Sequence, residues 1–297
     1  MRKPEWSLVQ YVDRETDKAR VGVEARDGVH AAPNSWPETV AALLDVWREF
    51  EGELRGLQVA SLALVPGARL VAPIMYPRKV ICSGANYYDH AAEMGTSEPD
   101  PDKEPFFFLK PPTTTVVGPG AEVRMPDAPD AKVDWEAELG IVIADRCRNV
   151  TVEKAFTHVA AYTNANDLSA RGLFSRDGAL APPFAYDWVG HKAPDGFCPI
   201  GPGIVPSWLV PNVENLRLTL SVNGIMKQDS NTNNMIVGIA RLISYASKQM
   251  TLEPGDVILT GTPAGVGMPR QEFLKAGDVM VVEIEGLGRL ENRMVRV

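Results

Sequence analysis

Asp134-Trp135-Glu136-Ala137-Glu138-Leu139-Gly140-Ile141-Val142-Ile143 is the stretch on which the reading of this chain turns. Polar and apolar side chains alternate at its start, and Ile and Val gather at its end, which is the pattern of a strand. Side chains two apart on a strand share a face. Glu136 and Glu138 should therefore project together, opposite Trp135, Ala137 and Leu139. Two carboxylates on one face repel unless a cation, a proton or solvent separates them. A second strand-like run, 159–166, leads into Asp167 and offers a third carboxylate. Three convergent carboxylates with no His or Cys among them suit a hard divalent cation, Mg²⁺ or Mn²⁺. Spacing alone also leaves open a solvated strand face beside an ordinary acidic loop, because Glu-x-Glu is common.

Upstream, 79–86 reads as a buried strand, followed by a short helix from Tyr88 to Met94 that Gly95 stops. His90 and Glu93 lie three apart on that helix, so they share a face and can form a hydrogen-bonded dyad. The acidic, proline-bearing stretch 96–104 would let this helix act as a lid. Phe106 to Lys110 is an apolar strand closed by Pro111 and Pro112. Nearer the N-terminus, 7–31 forms a small antiparallel meander with His30 at the surface, and 37–57 is helical. The Pro- and Gly-rich stretch 65–74 marks a boundary, giving a small N-terminal α+β domain, 1–70, and a second domain, 71–297.

Downstream, Thr151 caps a helix whose buried stripe is Val152, Ala155, Phe156 and Val159, with His158 exposed. The last third is strand-rich: 216–222, a hairpin at Asn223-Gly224, 257–259, 279–284 and a final strand ending at Val297. A helix spans 239–250. Gly261-Thr262-Pro263-Ala264-Gly265-Val266-Gly267 lacks the ending of a P-loop and reads as a loop that approaches a ligand through its backbone.

The chain has 297 residues, of which 45% are hydrophobic and 23% charged, so it can bury a substantial core without staples. Its net charge of −8 argues against nucleic acid and anionic membrane as partners. Three scattered cysteines without a C-x-x-C support neither a disulfide framework nor a zinc site, and fit a cytoplasmic setting.

The order of the motifs says more than any one of them. Gly84-Ala85-Asn86-Tyr87-Tyr88-Asp89-His90-Ala91-Ala92-Glu93 precedes Asp134-Trp135-Glu136-Ala137-Glu138-Leu139. Asn166-Asp167-Leu168-Ser169-Ala170-Arg171, Lys192, Gln228-Asp229-Ser230 and the 261–267 loop follow. Over residues 70–297 this resembles the fumarylacetoacetate hydrolase family, including its bacterial 2-hydroxyhepta-2,4-diene-1,7-dioate isomerase-like members. The resemblance implies a mostly β fold with some α, a rolled mixed-sheet core and a homodimer. It implies that Glu136, Glu138 and Asp167 bind Mg²⁺ or Mn²⁺, and that His90, Glu93 and Lys192 are catalytic. It implies that Arg171, Gln228 and Thr262 contact a small 2-oxo or β-diketo acid. The reaction implied is hydrolysis of a carbon–carbon bond in an acylpyruvate, as in the breakdown of aromatic compounds. Decarboxylation, keto–enol tautomerisation or dienoate isomerisation are the alternatives on the same enolate chemistry. The chain departs from the family pattern at Gly172-Leu173-Phe174, at His191-Lys192-Ala193-Pro194 and in the long segment between Asp167 and Lys192, which carries Phe184, Tyr186 and Trp188. These changes bear on the substrate.

Overall fold

The computed structural model describes residues 1–14 and 16–296. The first part forms β1 (Ser7–Val12), β2 (Ala19–Ala25), β3 (Gly28–Ala31), α1 (Val40–Asp45), α2 (Trp47–Arg55) and β4 (Arg69–Val71). Next come β5 (Val80–Gly84), α3 (Tyr88–Glu93), β6 (Phe106–Lys110), α4 (Pro112–Thr115), β7 (Val116–Val117) and β8 (Glu122–Arg124). The centre holds β9 (Val133–Asp134), β10 (Ala137–Ile143), β11 (Val159–Asn166), β12 (Ser169–Ala170), α5 (Trp188–Lys192) and β13 (Cys198–Pro206). The chain closes with β14 (Arg217–Val222), β15 (Ile225–Asn231), α6 (Ile239–Gln249), β16 (Val257–Leu259), β17 (Val279–Ile284) and β18 (Gly288–Val295). The expected mostly β architecture is the one observed.

Two large sheets carry the fold. The first runs β3-β2-β1-β13-β11-β10-β16-β5-β6, with β4 on β1 and β7 on β13; the second runs β15-β14-β17-β18-β8. Both are mixed: β16 pairs with β5, and β18 with β8, in parallel, among otherwise mainly antiparallel neighbours. β10 lies between β11 and β16, buried throughout, which explains its near-continuous apolar run. Its faces diverge as the alternation requires. Leu139, Ile141 and Ile143 share a core with Leu218, Val282 and Leu290 of the second sheet. Val142 and Ala144 join Leu43, Leu44 and Trp47 of the N-terminal helices. Asn164 ties the two sheets, donating to the Gly201 carbonyl at 2.9 Å and accepting from the Ile284 N–H at 3.1 Å.

The residues before 70 continue this sheet and core. β1 pairs with β13, Leu8 facing Ile204, and Leu8, Val40 and Leu43 pack in one cluster with Val80, Cys82, Val257 and Leu259. At Asn223 and Gly224, φ values of 52° and 77° make the tight turn that the hairpin signal predicts.

Several local expectations are corrected. His30 is buried, with ring nitrogens 3.2 Å from the Leu62 carbonyl and 3.0 Å from Asp27. The segment Val152–His158 winds as a 3₁₀ helix, so a 3.6-residue stripe does not hold its phase. Val152 and Phe156 are exposed, only Ala155 and Val159 are buried, and His158 is half-buried against Asp145. The final strand stops at Val295, and Val297 lies outside the described residues. Apart from these corrections, Arg241 of α6 donates to the carbonyls of Pro101 and, at 3.0 Å, Asp102 in the stretch 96–104.

Candidate active site

The strand containing the carboxylate pair is interrupted at Trp135 and Glu136, between β9 and β10. Asp167 follows the end of β11 directly and donates its N–H to the Glu136 carbonyl at 2.8 Å. Asn166 accepts the Glu136 N–H at 3.0 Å. These backbone ties bring ligand-type oxygens of Glu136, Glu138 and Asp167 within 4.8 Å of one another, all three side chains being buried.

Cations surround the trio on one side. Lys192, at the end of α5, donates to Glu136 Oε2 at 2.9 Å and Asp167 Oδ2 at 2.8 Å. Lys110, the last residue of β6, donates to Asp167 Oδ1 and to the carbonyls of Leu168 (2.8 Å) and Phe197 (2.7 Å). Arg171 spans Asp134 Oδ2 at 3.0 Å and Glu136 Oε1 at 2.6 Å, and Ser169 Oγ donates to the same Glu136 oxygen at 3.0 Å.

The carboxylates are thus unequal. Burial pushes Glu136 up, but Lys192 and Arg171 outweigh it and hold the group well below its usual range. Glu138 forms no ion pair among the described residues; burial, with Asp167 and Glu136 as like-charged neighbours, pushes it well above that range. Burial works against the Lys192 ammonium, but Asp167 and Glu136 raise it further than burial lowers it.

The glycine-rich loop reaches inward, and its N–H groups go to the protein's own carboxylates. Gly261 N–H donates to Glu138 Oε2 (2.7 Å), Gly265 N–H to Glu93 (3.0 Å), and Gly267 N–H to Asp134 (2.6 Å). Gly265 has φ of 103°, and a Cβ there would lie 2.1 Å from the Lys227 carbonyl, so only glycine fits. His90 Nδ1 stands 3.3 Å from Glu93 Oε2 on α3, so the expected dyad forms. The loop joins this dyad to the trio. Asn86, just before α3, reinforces the join by donating to the Val237 and Thr260 carbonyls.

Gln228 and Thr262 sit behind the trio. Gln228 accepts the Ala137 N–H at 2.9 Å and donates to Thr262 Oγ1 and the Pro263 carbonyl, each at 2.8 Å. Thr262 Oγ1 donates to the Ala137 carbonyl at 2.9 Å. Their polar groups clasp β10 to the loop, so here they support the carboxylates. His191 is buried beside Lys192, its Nδ1 3.2 Å from the Ala170 carbonyl. Burial, and next the Lys192 charge, push its pKa down to about 4. On the far side of Lys192 is an aromatic shelf. Trp188 stacks on Phe108 at 4.9 Å, Phe174 meets Trp188 edge-on at 5.2 Å, and Lys192 Nζ lies 5.0 Å above the Phe108 ring.

Sequence reasoning gave no site role to Lys110 or Asp134. The signal for Lys110 was the one charge in an otherwise apolar strand, a position that is buried only when paired.

Rolled mixed sheets closing on a buried acidic trio flanked by lysines define an enzyme fold of the fumarylacetoacetate hydrolase type. The chain belongs to that family: its fumarylacetoacetate (FAA) hydrolase C-terminal region matches residues 79–295. The oxaloacetate tautomerase fahd2, mitochondrial, of Xenopus laevis is 39% identical over 97% of this chain and 90% of its own. Among solved structures, fumarylacetoacetate hydrolase from Exiguobacterium antarcticum superposes with a TM-score of 0.81 at 32% identity, covering 98% of this chain and 100% of its own. Maleylpyruvate hydrolase from Sphingobium sp. SYK-6, in complex with manganese(II) and pyruvate, gives 0.75 at 29% identity, covering 98% and 99%. No helix among the described residues is long and apolar enough to cross a membrane.

Proposed function

We propose that this protein is a divalent-metal-dependent enzyme that interconverts the keto and enol forms of a 2-oxo acid of the oxaloacetate type. The observation that carries the reading is the charge balance of the buried cluster. Four carboxylates (Asp134, Glu136, Glu138, Asp167) face three cations (Lys110, Arg171, Lys192), leaving one formal negative charge. A divalent cation turns that into one positive charge, which suits an anionic substrate. The donors are all hard oxygens, and Glu138, crowded by like charges, has no cation paired to it among the described residues. The residues therefore fit Mg²⁺ or Mn²⁺, held by Glu136, Glu138 and Asp167. Bound there, the ion supplies Lewis-acid stabilisation of an enolate.

The chain's own residues do the rest. Lys192, kept charged by its two carboxylate partners, steadies negative charge on the substrate oxygen. Glu93, fixed by the Gly265 N–H, orients the His90 ring through Nδ1. The opposite nitrogen, Nε2, is then free to move a proton between carbon and oxygen. The identity to the Xenopus tautomerase over nearly the whole chain supports this reading.

Hydrolysis of an acylpyruvate is the second reading, favoured by the same dyad, which can equally deprotonate water, and by the likeness to two hydrolases. The test is one purified sample with Mg²⁺ or Mn²⁺, assayed for decay of oxaloacetate enol absorbance, for CO₂ release and for acid release from acylpyruvates. Enol decay without either product supports tautomerisation. Acid release with no acceleration of enol decay overturns it in favour of hydrolysis.

A further inference from the structure

We propose that Asp145, Cys147 and His158 form a second metal site, for a borderline divalent cation of the Zn²⁺ type, at the other end of the β10–β11 hairpin from the carboxylate trio. One ligand-type atom from each lies within 4.8 Å of the others. Asp145 and Cys147 follow β10, and His158 immediately precedes β11, so the intervening loop brings the three together.

Three features point to an ion. First, the donors are thiol, imidazole and carboxylate, a set that selects Zn²⁺ and its neighbours over Mg²⁺. Second, Cys147 is a buried residue, 7% exposed, whose thiol has no hydrogen-bond partner among the described residues. Its backbone is fixed instead, by paired 3.0 Å bonds to Leu252, which hold the thiol toward the other two donors. Third, the set is oriented and open. Arg48 Nε and Nη2 hold Asp145 by Oδ2 at 2.9 and 2.8 Å, leaving Oδ1 turned to His158 Nδ1 at 2.6 Å. The Asp145 and His158 side chains are 32% and 22% exposed, so an ion can reach them and take the place of the hydrogen bond between Oδ1 and Nδ1.

The charges balance. Binding M²⁺ displaces the thiol proton to solvent and forms one metal–sulfur bond; thiolate and carboxylate together then neutralise the ion, with imidazole neutral, while the Arg48 guanidinium bonded to Asp145 is offset by Glu51. Three protein ligands leave a fourth position for water. Because Arg48 belongs to α2, the ion would fasten the 144–158 loop to the N-terminal helices.

The test uses sulfur as the signature, since the carboxylate trio offers only oxygen. Chelator-treated full-length protein is titrated with Co²⁺ and its near-ultraviolet thiolate-to-cobalt charge-transfer absorption is read. The expected result is a band that saturates at one equivalent, is bleached by Zn²⁺ and not by Mg²⁺, and persists in Glu138→Gln. It should vanish in Cys147→Ala. In His158→Ala the affinity should fall by at least ~10-fold, because even outer partners of metal ligands are worth that much. No band in the wild-type protein overturns the site, as does a band that survives in Cys147→Ala or, should that variant not fold, in Cys147→Ser.

Discussion

Glu138→Gln and Glu136→Gln should move the stability of the metal-free protein in opposite directions, although each removes one carboxylate from the same trio. Ligand-type oxygens of Glu136, Glu138 and Asp167 lie within 4.8 Å. At that spacing, with an effective dielectric of about 20, each like-charged pair costs roughly 3–4 kcal/mol. Glu138 has two such neighbours and no ion pair among the described residues; the bond it accepts from the Gly261 N–H at 2.7 Å is one a Gln carbonyl accepts as well. Glu138→Gln therefore relieves repulsion and leaves no donor unpaired. Allowing for the attraction it also loses to Lys192, we expect a gain of about 1–3 kcal/mol. Glu136 is the opposite case. It pairs with Lys192 at 2.9 Å and Arg171 at 2.6 Å, both in a buried setting. Removing one partner of a buried pair costs about 3–5 kcal/mol, since the remaining charge is left uncompensated. The assay is urea unfolding of both variants and the wild type in excess chelator, at matched slope, with Mg²⁺ and Mn²⁺ binding measured on the same samples. Both variants should lose most of their metal affinity. Equal destabilisation of the two would refute the reasoning, because it would mean that Glu138 is held by a cation after all.

Three further outcomes follow from the geometry. His191, with a pKa near 4 against 6.5 when free, favours the neutral ring in the folded state. Its contribution is therefore fully present above pH 6.5 and lost as pH falls toward 4, about 3 kcal/mol over that window; His191→Gln should remove that part of the acid dependence in denaturant titrations between pH 7 and pH 4, and an unchanged slope would contradict it. Glu93→Gln weakens the orientation of His90 while leaving the trio untouched, so kcat should fall by roughly 10²–10⁴ with KM little changed; steady-state kinetics at saturating Mg²⁺ would expose a purely structural role as a loss of folding with no such split. Residues 71–297 expressed alone should melt far below the whole chain or aggregate, because Val80, Cys82, Val142 and Leu259 lose the cover of Leu43, Leu44 and Trp47; a soluble fragment with a cooperative melt would make residues 1–70 a dispensable domain.

What could be read from the sequence follows the range over which each contact is set. Glu136 and Glu138 stand two apart and His90 and Glu93 three apart, so strand and helix geometry fix each pair locally. Lys110 and Asp167 are 57 positions apart, and only the sheet order β10-β16-β5-β6 brings them together. The glycine-rich loop is legible as one that approaches a ligand through its backbone. Composition does not say that those N–H groups are taken up by the protein's own Glu138, Glu93 and Asp134, as they are here. Phe156 was misplaced because its segment is wound at three residues per turn, a choice that an apolar stripe over so short a stretch does not reveal. Turn proximity puts His30 outside, whereas its backbone bridges to Leu64 and its ring is buried, with Nδ1 3.2 Å from the Leu62 carbonyl.

Stability alone does not explain a centre built from four buried carboxylates, two buried lysines and the partly buried Arg171. Apolar side chains of similar volume would serve the fold as well or better, since buried ion pairs rarely repay their desolvation. The neighbouring core shows what this chain does where no charge is needed: Leu139, Ile141 and Ile143 fill the opposite face of the same strand. The conflict is therefore confined to one face and its flanks, and it is organised rather than scattered. The trio sits in β10 and directly beside it, Glu138 within the strand, Glu136 just before it and Asp167 just after β11, whereas the His90–Glu93 dyad rides on a six-residue helix tied in through Asp89, Glu93 and Asn86. Rigid strands hold the charges that must not drift. The aromatic shelf of Phe108, Phe174 and Trp188 lies on the remaining side, beside Lys192, on elements that carry none of the three carboxylates. That shelf shares β6 with Lys110 and α5 with Lys192, so a substitution of one of its aromatic side chains is felt first by the two lysines that balance the carboxylates.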